Sequence, residues 1–450
     1  MRTYQKAFIG IVLPVLFLLN SFSGFAQRSD DIITEQKKNE IIQKVFTILK
    51  DSYIFPEKVP LIQKSIGAKA ANGGYGKFFT AESFLKDLNT DLELISNDRH
   101  VNVFFDPLVV KQIEASARDT ATQASFSTQF LQRANFENFM VRQVERLDGN
   151  IGYFKFNQFV DLRISKPTLV AAMNLLSHSS ALIIDLRQNG GGHSITTNFL
   201  LNYFLPDSTL IGYFNNRLHK TETKIYTEYD PLIRKFANDI PVYILTSKRT
   251  SSAAEAFAYS LQAFKRAIIV GDTSNGEANP GYHFAINPEM YMMVPTSINR
   301  NAVTKTNWQG IGVIPDVKTG SQNAFMASQA LAYEKLANTT RDAGRKYFYE
   351  WMAVGFQAQL IPVNPASIDL QNFTGNYADD RSITVDNGNL FYQRKGMSGK
   401  KKLLPLTKNL FTLEGASFFR IRFINNNRNS TTALEGMYDD GKIEVSKRID

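Results

Sequence analysis

The sequence predicts an α/β fold, a layered core built on a parallel sheet, with a small helical domain before it and a small all-β domain after it. Three observations carry this. Between about Phe139 and Val317, β-rich apolar runs alternate with stretches of helical spacing, the order expected of parallel strands joined by helical crossovers. Ahead of them, "IIQKVFTILKDSYIF" and "TAESFLKDLNTDLELI" repeat apolar residues at the helical period. Behind them lie short alternating strands with hairpin turns at "DNGN" and "DDGK", where Asn or Asp followed by Gly tolerates positive φ.

In chain order, the opening "MRTYQKAFIGIVLPVLFLLNSFSGFAQ" sets Arg2 and Lys6 before an apolar stretch and small residues before a cut. It is read as a secretory signal peptide, residues 1–26, so the protein is expected to be exported, periplasmic or extracellular, with no stable membrane span after cleavage. The helical domain is expected over 27–125, with "ANGGYGKFF" as its loop, and the α/β core over 126–325. In the core "NIGYFKF", "ALIIDLR", "PVYILT", "AIIVGD" and "YMMVPT" read as strands, and "SITTNFLLNYFL" and "SAAEAFAYSLQAF" as helices. Residues 326–363 are expected as a helical linker and 364–450 as a β domain, a curled sheet or barrel.

Composition narrows the chemistry. The chain has no cysteine, which removes disulfides, thiol nucleophiles, zinc-thiolate sites and an acylated lipoprotein anchor, so stability must come from core burial. The formal charge is +9, but the basic residues are scattered apart from "QRKGMSGKKK", which reads as a solvated hairpin tip. No basic face interleaved with stacking aromatics is present, so nucleic acid is not an expected partner.

Two stretches carry chemistry. In "ALIIDLRQNGGGHS" a buried strand ends near Asp185 and Arg187 and breaks into Gly190, Gly191 and Gly192 before a helix, a turn whose amides can hold an anion. The spacing fits neither nucleotide-loop pattern. In "TSSAAEAFAYSLQAF", Ser252 and Glu255 form S-x-x-E, which a capping box explains without any chemistry. The same serine could attack a substrate, given a base and amide donors. His100, in "ISNDRHVNVFF", is a candidate base among the five histidines.

Together, "IIDLRQNGGG", "TSKRTSSAAEAFAYSLQAFKRAIIVGDTSNG", "TNWQGIGVIPDV" and the preceding "NDRHVNVFF" resemble the tail-specific (C-terminal processing) serine protease family. The likeness is greatest to the branch containing the tricorn core protease and the repeats of interphotoreceptor retinoid-binding protein, and covers roughly Ile32 to Val317. The resemblance implies a layered αβ protease core of the ClpP/crotonase-like kind, a peptide or protein substrate and no cofactor. It implies Ser252 as nucleophile, His100 as general base, and an oxyanion hole from the amides of Gly191, Gly192 and Ala253. Asp185 and Arg187 would shape the glycine turn.

This chain departs from the family in two places. Glu277, in "TSNGEAN", stands where bacterial members place a lysine base, and Gln309, in "NWQG", stands where the tricorn-like branch has a glutamate that orients the histidine. Gln309 could fix the imidazole by a hydrogen bond but cannot offset its positive charge, and Glu277 is an alternative source of that charge. If Gln309 orients His100, Gln309→Glu is expected to raise ester turnover. Two other readings stay open: a catalytically weakened homologue that binds peptides or apolar ligands, and a protein whose β domain is the working part.

Overall fold

The computed structural model describes residues 32–118, 126 and 128–449. The expected signal peptide therefore lies outside the described residues.

Period-two alternation in continuous apolar runs fixes the central layer. β2 (Val141–Leu147), β3 (Ile151–Phe156), β4 (Ala181–Asp185), β7 (Val242–Thr246), β8 (Ile268–Gly271) and β12 (Val317–Lys318) form one sheet in the order β12-β8-β7-β4-β3-β2, with only the β2 edge antiparallel. Alternate residues serve opposite faces. Leu182, Ile184, Val242 and Ile244 pack against α6 (Leu162–Leu176), α7 (Ser194–Leu201) and α8 (Ala253–Ala263). Ile183, Tyr243, Leu245 and Val270 pack under α9 (Ala324–Thr339) and α10 (Ala343–Leu360). The stretch expected as a linker is thus the third layer of the core.

The amino-terminal region is built on α1 (Glu35–Ser52), α2 (Val59–Ala71) and α3 (Ala81–Ser96), with α4 (Pro107–Arg118) and α5 (Thr128–Phe136) following in the chain. Thr34 caps α1 and Thr80 forms a capping box with Ser83 on α3, satisfying first-turn amides that would otherwise lack acceptors. The region is not purely helical. β1 (Asn102–Phe105) pairs with β10 (Met290–Pro295), which pairs with β9 (Gly281–Ala285), and Met290, Met292 and Val294 join the apolar cluster of the three helices. "YMMVPT" is therefore a strand, as expected, but of this small sheet and not of the central one. A third sheet joins β11 (Ser297–Asn301), β5 (Leu210–Asn216) and β6 (Thr221–Tyr226).

Eight antiparallel strands, β13 (Gly375–Tyr377) through β20 (Ile443–Lys447), follow one another in sequence order. The first and last meet, through a bridge between Tyr377 and Arg448 and bonds from Ala378 N–H to Lys447 O (2.9 Å) and Ile449 N–H to Asn376 O (2.8 Å). That closure leaves no free sheet edge. Asn387 and Gly388, at φ 48° and 71°, make the tight turn expected from "DNGN". The barrel rests on α10, where the Arg420 guanidinium lies 3.7 Å over the Trp351 ring and donates to Trp351 O (2.8 Å). Among the described residues no helix is long and apolar enough to cross a membrane.

Candidate active site

The site lies where the amino-terminal region meets the carboxyl ends of β4 and β7. β4 ends in Asp185, whose burial pushes its carboxyl up. The hydrogen bonds and charge of Arg187 outweigh that and hold it below the ordinary carboxylate range. Arg187 grips both oxygens (2.9 and 2.6 Å), Tyr153 donates a third bond (2.7 Å), and the Arg187 fork also reaches Ser321 O (2.9 Å). This knot fixes the chain entering the glycine turn. Asn189, fully buried, bridges Phe156 O (3.0 Å) and the Gly191 amide (2.9 Å) across that turn.

The glycines are there for close approach. Gly191 and Gly192 sit at φ 99° and 134°; a Cβ on Gly191 would lie 2.8 Å from Ser252 Cβ and 3.0 Å from the Ala253 amide nitrogen. A Cβ on Gly192 would lie 2.2 Å from Phe159 O. The turn therefore presses directly on the start of α8. Ser252, at its N-cap, has φ 53° and ψ −117°, the first corner of a type II′ turn usually left to glycine. Holding a serine there costs about 1–3 kcal/mol. Glu255 offsets part of this by accepting the Ser252 amide (2.8 Å).

Glu255 does more than cap. Fully buried, it also accepts from Ser274 Oγ (2.5 Å) and from the amides of Gly276 (2.6 Å) and Glu277 (2.9 Å), so it ties α8 to the loop after β8. Burial pushes its carboxyl up, and those four donors work against the shift. The loop it organises carries Glu277, whose Oε2 accepts the Ser251 hydroxyl and lies 3.8 Å from His100 Nε2.

His100 arrives from the other side. α3 stops at Asn97, whose left-handed conformation (φ 51°, ψ 44°) turns the chain into Asp98, and Asp98 Oδ1 accepts the main-chain N–H of His100 (3.1 Å). Asp98 is 1% exposed. Tyr53 donates to its Oδ2 (3.2 Å) and Gln309 Nε2 to its Oδ1 (3.1 Å). Burial raises the Asp98 carboxyl above its ordinary value despite the neighbouring His100. Its Oδ1 lies 3.8 Å from His100 Nδ1, a buried nitrogen that has no hydrogen-bond partner among the described residues.

The structure thus brings Gly191, Gly192, Ser252 and Ala253 together, with His100 joined to the same turn through Glu277 and Ser251. Two placements differ from expectation. Gln309 makes its bonds to Asp98 and, through Oε1, to the amides of Ala278 (2.8 Å) and Asn279 (3.2 Å), not to the imidazole. The Gly191 amide is directed at Asn189, which leaves those of Gly192 and Ala253 as the two without a partner among the described residues. Asp98, Asn189 and Ser251 were not among the expected site residues. For Asp98 the signal was D-x-H in a polar turn.

The pattern of Peptidase family S41 matches residues 150–319, and that of the N-terminal domain of Peptidase_S41 in eukaryotic IRBP matches 27–141. Over these residues the chain carries the patterns of peptidase family S41 and of its N-terminal domain. It is similar to a carboxy-terminal-processing protease of Bartonella bacilliformis, 24% identical over 38% of this chain and 39% of that one. A carboxyl-terminal-processing protease of Synechocystis is 30% identical over 28% of each. The chain spans no more than two fifths of the length of these relatives. Among solved structures, a putative peptidase from Parabacteroides merdae aligns over 66% of this chain and 96% of its own, at 15% identity and a TM-score of 0.47.

Proposed function

We propose that this protein is an exported serine peptidase in which Ser252 is the nucleophile and His100 the general base. The observation that carries the reading is Ser252 itself, held at a strained positive φ against a glycine turn, beside the Gly192 and Ala253 amides, which have no partner among the described residues. A cap alone would not need that conformation, because capping serines adopt ordinary extended backbone.

In the reaction, Ser252 Oγ bonds to the carbonyl carbon of a peptide while its proton passes to His100 Nε2. The carbonyl oxygen takes the electron pair and is held by the two amides, an arrangement worth about 10²–10³ in rate per donor. The carbon–nitrogen bond then breaks, His100 returns the proton to the departing amine, and water repeats the cycle on the acyl group. Names of the relatives point to processing near carboxyl termini, which is the substrate class we propose. Export rests on the leader sequence at 1–26.

A fluorophosphonate probe tests this. Labelling of the full chain is expected, with a loss of about 10³-fold or more in Ser252→Ala and retention in Ser251→Ala. A second reading, a binding protein on the same scaffold, is favoured by the neutral Gln309 and by the occupied Gly191 amide. A folded wild-type chain that takes no label would select it.

A further inference from the structure

We propose that Asp98 is the positioning residue for His100, filling the role that the family resemblance assigned to position 309, with Gln309 and Tyr53 as its braces. The inference deepens the peptidase reading and rests on it for its use in catalysis.

The two ring nitrogens of His100 face different acids. Nε2 lies 3.8 Å from Glu277 and Nδ1 lies 3.8 Å from Asp98. A base that accepts the Ser252 proton through Nε2 needs that nitrogen unprotonated, hence its proton on Nδ1 and an acceptor there. Asp98 is on the required side. Glu277, facing Nε2, would hold a proton on the wrong nitrogen and compete with Ser252 for the base, while the Ser251 hydroxyl already occupies the same Glu277 oxygen. Gln309 does not touch the ring, since both of its ends are engaged elsewhere.

The remaining gap is small. Among the described residues His100 Nδ1 is buried and has no hydrogen-bond partner, a costly state for a polar atom, and an acidic oxygen, that of Asp98, lies 3.8 Å from it. Rotating the ring by about 1 Å at Nδ1 brings the pair into hydrogen-bond range, and catalytic contacts are commonly longer before substrate binds. Asp98 itself cannot drift, because three donors fix its two oxygens: the His100 amide, Gln309 Nε2 and Tyr53 Oη. During acyl transfer the Ser252 proton moves to Nε2, Asp98 keeps its charge and accepts no proton, and the imidazolium is stabilised between them.

The test pairs probe labelling with nitrogen-15 NMR of the imidazoles on the full chain. The neutral His100 ring is expected as the Nδ1–H tautomer in the wild type and is expected to lose that preference in Asp98→Asn. Labelling in Asp98→Asn is expected to fall by about 100-fold or more. A wild-type ring protonated on Nε2, or an Asp98→Asn chain that labels within about twofold of wild type with its tautomer unchanged, overturns the assignment. Absence of labelling in the folded wild type would defeat the peptidase reading instead. The tautomer measurement then decides the Asp98 pairing alone, and it does so on the wild type even if the variant fails to fold.

Discussion

Glu255 and Asp98 are both buried acids with raised carboxyls, yet they organise the two halves of the site by different means. Around Glu255, three of four donors are main-chain amides, those of Ser252, Gly276 and Glu277, all carried by the core. Around Asp98, Tyr53 and Gln309 supply side-chain donors from opposite sides of the seam between the amino-terminal region and the core. Ser252 is thus set by backbone geometry, which tolerates no added atom. The surroundings of His100 are set by side chains, which tolerate graded substitution.

Gly191→Ala is the harshest way to probe that difference. Its Cβ would meet Ser252 Cβ, Ser251 O and the Ala253 amide within 3.0 Å at a φ of 99°, so labelling is expected to fall by about 100-fold or more in a chain whose circular dichroism shows it folded. Labelling near the wild-type rate would mean that the turn yields easily and that the contrast is false.

Gln309→Glu tests the base half. On sequence grounds it was expected to speed turnover if Gln309 is the residue that orients His100. The structure reverses the sign, because the Gln309 nitrogen donates to Asp98 at 3.1 Å and two acids that close in a buried site cannot both ionise. Ester turnover is now expected to drop by about tenfold, roughly the cost of one lost charge-assisted hydrogen bond. A faster enzyme would restore position 309 as the orienting residue.

The mildest probe is pH. Asp98 binds its proton more tightly folded than unfolded, so its contribution to stability is complete below the ordinary carboxylate value of about 3.9 and is lost as pH rises through the raised one. The urea midpoint of wild type relative to Asp98→Asn is therefore expected to fall between pH 4 and pH 7. A difference that stays flat or grows would show that Asp98 is not burdened by burial.

Much of the fold was legible because its signals are local. The runs at 181–184 and 242–245 are continuously apolar, so they read as buried strands, and "DNGN" names its turn chemically. What stayed hidden depends on distant partners. "YMMVPT" is a strand by any local measure, but only the faces of α1 and α3 determine that it leaves the central sheet. Residues 326–363 read as a helical linker, while their burial against Ile183 and Tyr243 depends on the distant sheet. In the site, S-x-x-E located Ser252, but no residue type announces a serine at positive φ. Asp98 was hidden because sequence reasoning sought one acid far along the chain, when an Asx turn placed another two residues before His100.

The seam has a consequence for the life of the chain. Synthesis delivers Asp98 and His100 early, but Ser252, Glu277 and the Gln309 brace come from the last half of the polypeptide, so on the proposed reading a half-made molecule contains an imidazole with nothing to activate. On that reading hydrolysis waits until late segments fold back onto early ones.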